Sequence, residues 1–223
     1  GHLDNAYLTQ SDGNDFVITY DATPLDPNYI EDLVIGNALG TTTLQLDGTD
    51  RLDIRGLDMT AGAILDMTGD ANLNFHGSPT YSDHLDISGG AIINMASTGV
   101  LDTGQSELRN QDGNVNVSAG TLTFRGLNLG TSGGTGSANL TVSGTGQVIG
   151  GSGHYTIGNN SDPNRTGTLR IETGGYVDLQ AGARSTYVNS SGTIDANGGK
   201  MYIRHPYVQG GTFNDDNGSH MAF

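Results

Sequence analysis

Apolar and polar residues alternate with a period of two in short runs along most of the chain, and the runs end in glycine-rich corners. Leu44-Gln45-Leu46, Leu65-Asp66-Met67 and Leu140-Thr141-Val142 show the pattern. Such alternation places one set of side chains on a buried face and the other in solvent, as in a half-buried strand. A second alternating run follows each corner, for instance Leu52/Ile54, Leu73/Phe75, Leu122/Phe124, Val177/Leu179 and Met201/Ile203. No window carries the i, i+3, i+4, i+7 apolar stripe of an amphipathic helix.

Aligned on these runs, the chain contains seven copies of a two-strand unit, beginning at Leu44, Leu65, Leu85, Val115, Leu140, Leu169 and Ile194. Their first positions are all aliphatic, and their second positions (Gln45, Asp66, Asp86, Asn116, Thr141, Arg170, Asp195) are all polar. A degraded further copy starts at Val208. One such unit cannot bury its apolar face alone, whereas stacked units can. The pattern predicts an all-β chain folded as a right-handed parallel β-helix, a β-solenoid of about eight to nine coils. A β-sandwich would need two-residue hairpin turns such as Asn-Gly between alternating runs, and these are scarce. The solenoid is expected over residues 31–216. Residues 1–30, with their irregular patterning and the Pro-containing "DATPLDPNY", read as an N-terminal cap or irregular first coil. Residues 217–223 read as a tail; Gly1-His2 resembles a tag remnant and "GSHM" at 218–221 a cloning scar.

Composition supports short strands and tight turns. Of 223 residues 36 are Gly, and Thr, Ser, Asn and Asp are plentiful, all residues that turns accept. The net charge of −15, in which Asp far outnumbers Glu, repels nucleic acid and anionic membranes. The absence of Cys excludes disulfides and thiol chemistry. No apolar run is long enough to suggest direct membrane insertion.

An upstream turn recurs as Ile35-Gly36-Asn37, Leu129-Gly130-Thr131 and Ile157-Gly158-Asn159, each followed by a loop of variable length and then by the unit. Over about residues 31–214 this pattern resembles the Gly-rich repeats of secreted bacterial β-solenoids, namely autotransporter passengers and filamentous-haemagglutinin-like adhesins. The resemblance implies an extracellular setting at the bacterial cell surface and a non-catalytic role as rigid stalk or adhesive segment. Its partner would be a polysaccharide or a host or neighbouring cell surface. It transfers no functional residue.

Two sets of residues are candidates for chemistry. If the repeat columns stack, Asp66 and Asp86 stand in neighbouring coils and form a carboxylate pair suited to Ca²⁺ or to acid–base work, with Arg51, Asp53 and Arg55 nearby. That pair carries the alternative of a polysaccharide lyase or glycoside hydrolase. The second set is the tyrosine-rich last third, where Tyr155, Tyr176, Tyr202, Arg204 and Tyr207 are the expected carbohydrate contacts, flanked by His154, Arg184, Tyr187, Lys200 and His205. The column alignment puts Tyr176 beside Lys200 and Asp178 beside Tyr202. The oxygen-rich loops at 11–16 and 214–219 match no calcium-loop signature, and "GTSGGTGS" lacks the Gly-Lys-Ser/Thr of a phosphate loop. A monomer is expected; a phage-tail-like appendage would instead be trimeric.

Overall fold

The computed structural model describes residues 6–10, 13–20, 29–76, 84–131, 136–180 and 185–223. Among the described residues there is no helix: short strands wind into a parallel β-solenoid with three faces and about seven full turns. Its first face is a nine-stranded sheet running from Phe16–Tyr20 through Thr42–Leu46, Ala63–Met67, Ile92–Met95 and on to Thr212–Asp216. The second face begins in the first half of Arg51–Met59 and continues through Asn72–Phe75 and Val100–Asp102 to Lys200–Ile203 and His220–Ala222. The third takes the second half of Arg51–Met59, then His84–Ile87, Glu107–Asn110 and onward to Pro206–Gln209. Because Tyr29–Asn37 and Arg51–Met59 each cross from the second face to the third, these two faces join into one sixteen-stranded sheet.

Period-two alternation on all three faces builds a single core. Leu65, Ile93, Val115 and Leu140 stack on the first face, Leu73, Leu101, Leu122 and Val148 on the second, and Leu57, Leu85, Leu108 and Leu127 on the third. All of these are essentially inaccessible to solvent. Each aliphatic side chain so placed contributes about 1.5–3 kcal/mol, and a single rung alone would leave it exposed.

One repeat copy sits elsewhere than the sequence pattern implies. Leu85 belongs to the third face, paired with Leu57 and Leu108, and the first-face partner of Leu65 is Ile93. The two ends also join the stack. Ala6–Gln10 and Phe16–Tyr20 pair with Tyr29–Asn37 and Thr42–Leu46, and His220–Ala222 pairs with Lys200–Ile203. The Pro-containing stretch at 21–28 lies outside the described residues.

The recurring Gly-Asn turn is a clamp between rungs. Asn37 Oδ1 accepts from the Leu39 and Gly40 amides at 3.2 and 3.0 Å, while its Nδ2 donates to Asn14 O at 2.9 Å. Asn159 repeats this, accepting from Ser161 and Asp162 and donating to Thr131 O at 2.6 Å. Each Asn shapes the loop that follows it and ties that loop to the preceding turn.

Candidate functional site

On the second face the outward positions are set by register. Gln147 stands opposite Tyr176 and Tyr176 opposite Lys200; one position along, Asp178 faces Tyr202. Both expected neighbour pairs, Tyr176 with Lys200 and Asp178 with Tyr202, are therefore present. The Tyr176 and Tyr202 rings lie 5.7 Å apart at 47°, and Tyr202 continues to His220 at 5.7 Å. Tyr176 donates its phenol hydrogen to Asp178 Oδ2 at 3.3 Å, and burial together with the Asp178 charge holds that phenol above its usual range. The corners entering two successive strands are Gly174-Gly175 and Gly198-Gly199. With no side chains there, an open trough of about 350 Å³ remains, walled by Gln147, Tyr176 and Lys200. Lys200 is the only lysine of the chain. Among the described residues its ammonium group enters no ion pair.

The other expected carbohydrate contacts are not gathered there. Tyr155 is 0% exposed. It points inward from the third face, where its register partners are Leu127 and Thr186. Across the core Gly150 occupies a position aligned with Phe124, and the missing side chain leaves room for the tyrosine ring. The ring meets Phe124 edge-on at 6.2 Å and its hydroxyl donates to Gly151 O. Burial, with a smaller push from Asp178, raises its phenol to about 12. Tyr155 is therefore a core residue, enclosed by protein rather than presented on the surface. Tyr207 lies on the third face, stacked on Tyr187 at 5.5 Å and 18°, with His154 on the other side of Tyr187 at 6.1 Å. Arg204 is exposed at the corner between the two faces. The outward tyrosines of the last third thus form two ladders on different faces. Arg184 lies outside the described residues.

Asp66 and Asp86 are not neighbours. Asp66 is on the first face, opposite Gln45 and Asn94, and accepts from Asn94 Nδ2 at 2.7 Å. Asp86 is on the third face, opposite Asp58 and Arg109. The reason is the Leu85 register: strands of different faces share one alternating pattern, so the pattern does not tell that the copy beginning at Leu85 belongs to the third face.

The register that separates those two aspartates brings other groups together. Asp58 and Asp86 stand opposite each other in adjacent turns. His84, two residues before Asp86, points to the same side of the sheet, with Nε2 3.4 Å from Asp58 Oδ1 and 3.3 Å from Asp86 Oδ2. The contact with Asp58 is the main reason the imidazole is held above its usual range, against the opposing effect of burial and Arg109 and with help from the Asp86 charge. Burial raises the Asp86 carboxyl, although His84 and Arg109 oppose it. One turn on, Arg109 Nε donates to Glu107 Oε2 at 3.3 Å and Asn128 Nδ2 to the same oxygen at 3.1 Å. Nothing in the local sequence marks Asp58 or His84; only the pairing of residues 57–59 with 85–87 makes them a set.

The chain matches no protein-family model, no curated protein and no solved structure.

Proposed function

We propose that this chain is a rigid, non-catalytic β-solenoid segment of an extracellular bacterial surface protein, and that it adheres through the Tyr176 trough to a neutral polysaccharide. The trough carries the reading. A tyrosine ring offers an apolar face to a pyranose ring, and the Gln147 amide and Lys200 ammonium offer hydrogen bonds to sugar hydroxyls. It is open and shallow, which suits a chain laid across it. Among the described residues no carboxylate lines it, and Asp178 beside it bonds to the Tyr176 hydroxyl, so the reading is of binding without cleavage. The charge of −15 disfavours a polyuronate, which a single lysine does not offset. Support for the stalk role comes from the continuous core and from ladders of outward polar side chains, such as Asp66, Asn94 and Asn116, which bond to one another from turn to turn. Support for the surface setting is the resemblance of the repeat.

The test is a glycan array that includes neutral and acidic polysaccharides, followed by titration of any hit. Lys200→Gln changes an exposed side chain and should keep the wild-type melting temperature, while Tyr176→Ala loses the Tyr202 contact and should keep the fold with a slightly lower one. Each should weaken binding at least about tenfold, a loss of about 1.4 kcal/mol. A blank array rejects the adhesive role, and a hit that both variants bind as well as the wild type does rejects the Tyr176 trough as its site.

A further inference from the structure

We infer that Asp58, His84 and Asp86 form a binding site for one divalent transition-metal ion of the Zn²⁺ or Co²⁺ class. One nitrogen and two carboxylate oxygens from these residues all lie within 4.8 Å of one another. Two adjacent turns of the third face supply them, so the site is set by strand register and needs no loop to close over it.

The spacing is informative. Charge-assisted hydrogen bonds between imidazole and carboxylate close to about 2.7–2.9 Å. The His84 contacts are longer, 3.4 and 3.3 Å. Ligands at about 2.0–2.1 Å in a tetrahedron around Zn²⁺ stand about 3.3–3.4 Å apart, since a tetrahedron's edge is about 1.6 times its centre-to-corner distance. Both His84 separations match that edge, and the separation between the two carboxylate oxygens is within 4.8 Å. A separate observation points the same way: Asp86 Oδ1 is buried and has no hydrogen-bond partner among the described residues, so this oxygen is left unsatisfied while Oδ2 faces His84.

Donor chemistry chooses the ion. Ca²⁺ and Mg²⁺ take all-oxygen shells, whereas an imidazole with two carboxylates suits Zn²⁺ and Co²⁺. Glu107, the register partner of His84, is held by Arg109 and Asn128 and is not a ligand. Asp86 also borders a cleft of about 180 Å³ with Arg109, Asn128 and Thr131, which gives a solvent ligand room to complete the shell. A bound ion would tie Arg51–Met59 to His84–Ile87 across the long connection between them.

The experiment uses the whole chain, stripped with a chelator and titrated calorimetrically with Zn²⁺, then with Co²⁺ monitored by its visible absorption, and with Ca²⁺ as control. The expected result is one Zn²⁺ per chain, a higher melting temperature with Zn²⁺, a tetrahedral Co²⁺ spectrum and no response to Ca²⁺. His84→Ala and Asp58→Asn should each weaken Zn²⁺ at least about tenfold and abolish the Co²⁺ spectrum. Asp58 is half exposed, so its variant keeps the fold even if another variant does not. No Zn²⁺ binding in the wild type overturns the proposal. So does binding that survives both substitutions, which would place the ion on other histidines. These residues lie apart from the Tyr176 trough, so the result does not depend on the glycan array.

Discussion

Single residues set the corners of this solenoid, and Gly158 shows how tightly. It adopts φ +78°, and a β-carbon there would come within 2.2 Å of the Gly192 amide nitrogen in the next turn. Gly48 also has a positive φ, +59°, but faces open space. An L-residue in this left-handed region costs about 1–2 kcal/mol at either site, and the clash at Gly158 adds about 1–3 kcal/mol. Gly158→Ala should therefore destabilise the chain well beyond Gly48→Ala in urea denaturation. Equal losses would mean that the Gly158 corner relaxes freely and the turns are not in tight contact there. The Ile-Gly-Asn wording recurs at Ile35-Gly36-Asn37 and Ile157-Gly158-Asn159, but only Gly158 of these glycines has a positive φ. That Asn37 and Asn159 also bond to the previous turn is not visible there, because the accepting carbonyls of Asn14 and Thr131 are distant in the chain.

Strand alternation was legible and face assignment was not. Every face presents the same inward–outward alternation between glycine corners, so a strand moved from one face to another leaves the pattern unchanged. That degeneracy placed Leu85 beside Leu65, paired Asp66 with Asp86, and hid the true set of Asp58, His84 and Asp86. Where the copies were aligned on the right faces, as for Tyr176 with Lys200, the outward neighbours came out as the structure has them. Tyr155 is a different case: alternation with the buried Ile157 marks it as inward, and Gly150 five residues earlier leaves the space its ring fills, so its place in the core is legible once the period-two pattern is applied to it. The element Arg51–Met59 holds another group that pattern alone could not reveal. Asp53 is 2% exposed although it lies on the outward side of the strand. Its Oδ1 receives Arg51 Nε at 3.1 Å, His76 Nε2 at 3.0 Å and Asn74 Nδ2 at 3.2 Å. Burial pushes this carboxyl up, but the bonds from His76, Arg51 and Asn74 outweigh it and leave it below the usual range. A carboxyl depressed by folding stabilises the native state above its unfolded pKa of about 3.9, and that stability is lost as pH falls through the lower folded value. Asp53→Asn should cost about 1–3 kcal/mol at pH 7. The gap in melting temperature between variant and wild type should then close as pH drops below about 4. A gap that stays constant from pH 7 to pH 3 would show that the Asp53 charge contributes nothing.

At the scale of the whole molecule, each turn packs on the turns beside it, so stability is close to a sum of nearest-neighbour terms. Turns in the middle of the stack have two neighbours and side chains such as Leu140, Leu169 and Ile194 at 0% exposure. In the last turn Tyr207 and Val208 are 53% and 52% exposed, and most of Thr212–Asp216 is open to solvent. Opening that turn uncovers little apolar surface and breaks one ladder per face, whereas opening a middle turn must break two. Local opening free energies should therefore rise from the end toward the middle, with no single value for the whole chain. In native-state hydrogen exchange, amides of Ser137–Val142 and Thr166–Glu172 should exchange slowest. Those of Thr212–Asp216 and His220–Ala222 should exchange fastest, with Gly192–Asn197 between them. Substituting Leu140 by Ala, at a cost of about 2–5 kcal/mol, should lower protection most in the turns touching it and progressively less beyond. If every strand instead exchanged at one rate, and the Leu140 variant lowered all of them equally, the chain would be opening as a single cooperative unit and the nearest-neighbour description would fail.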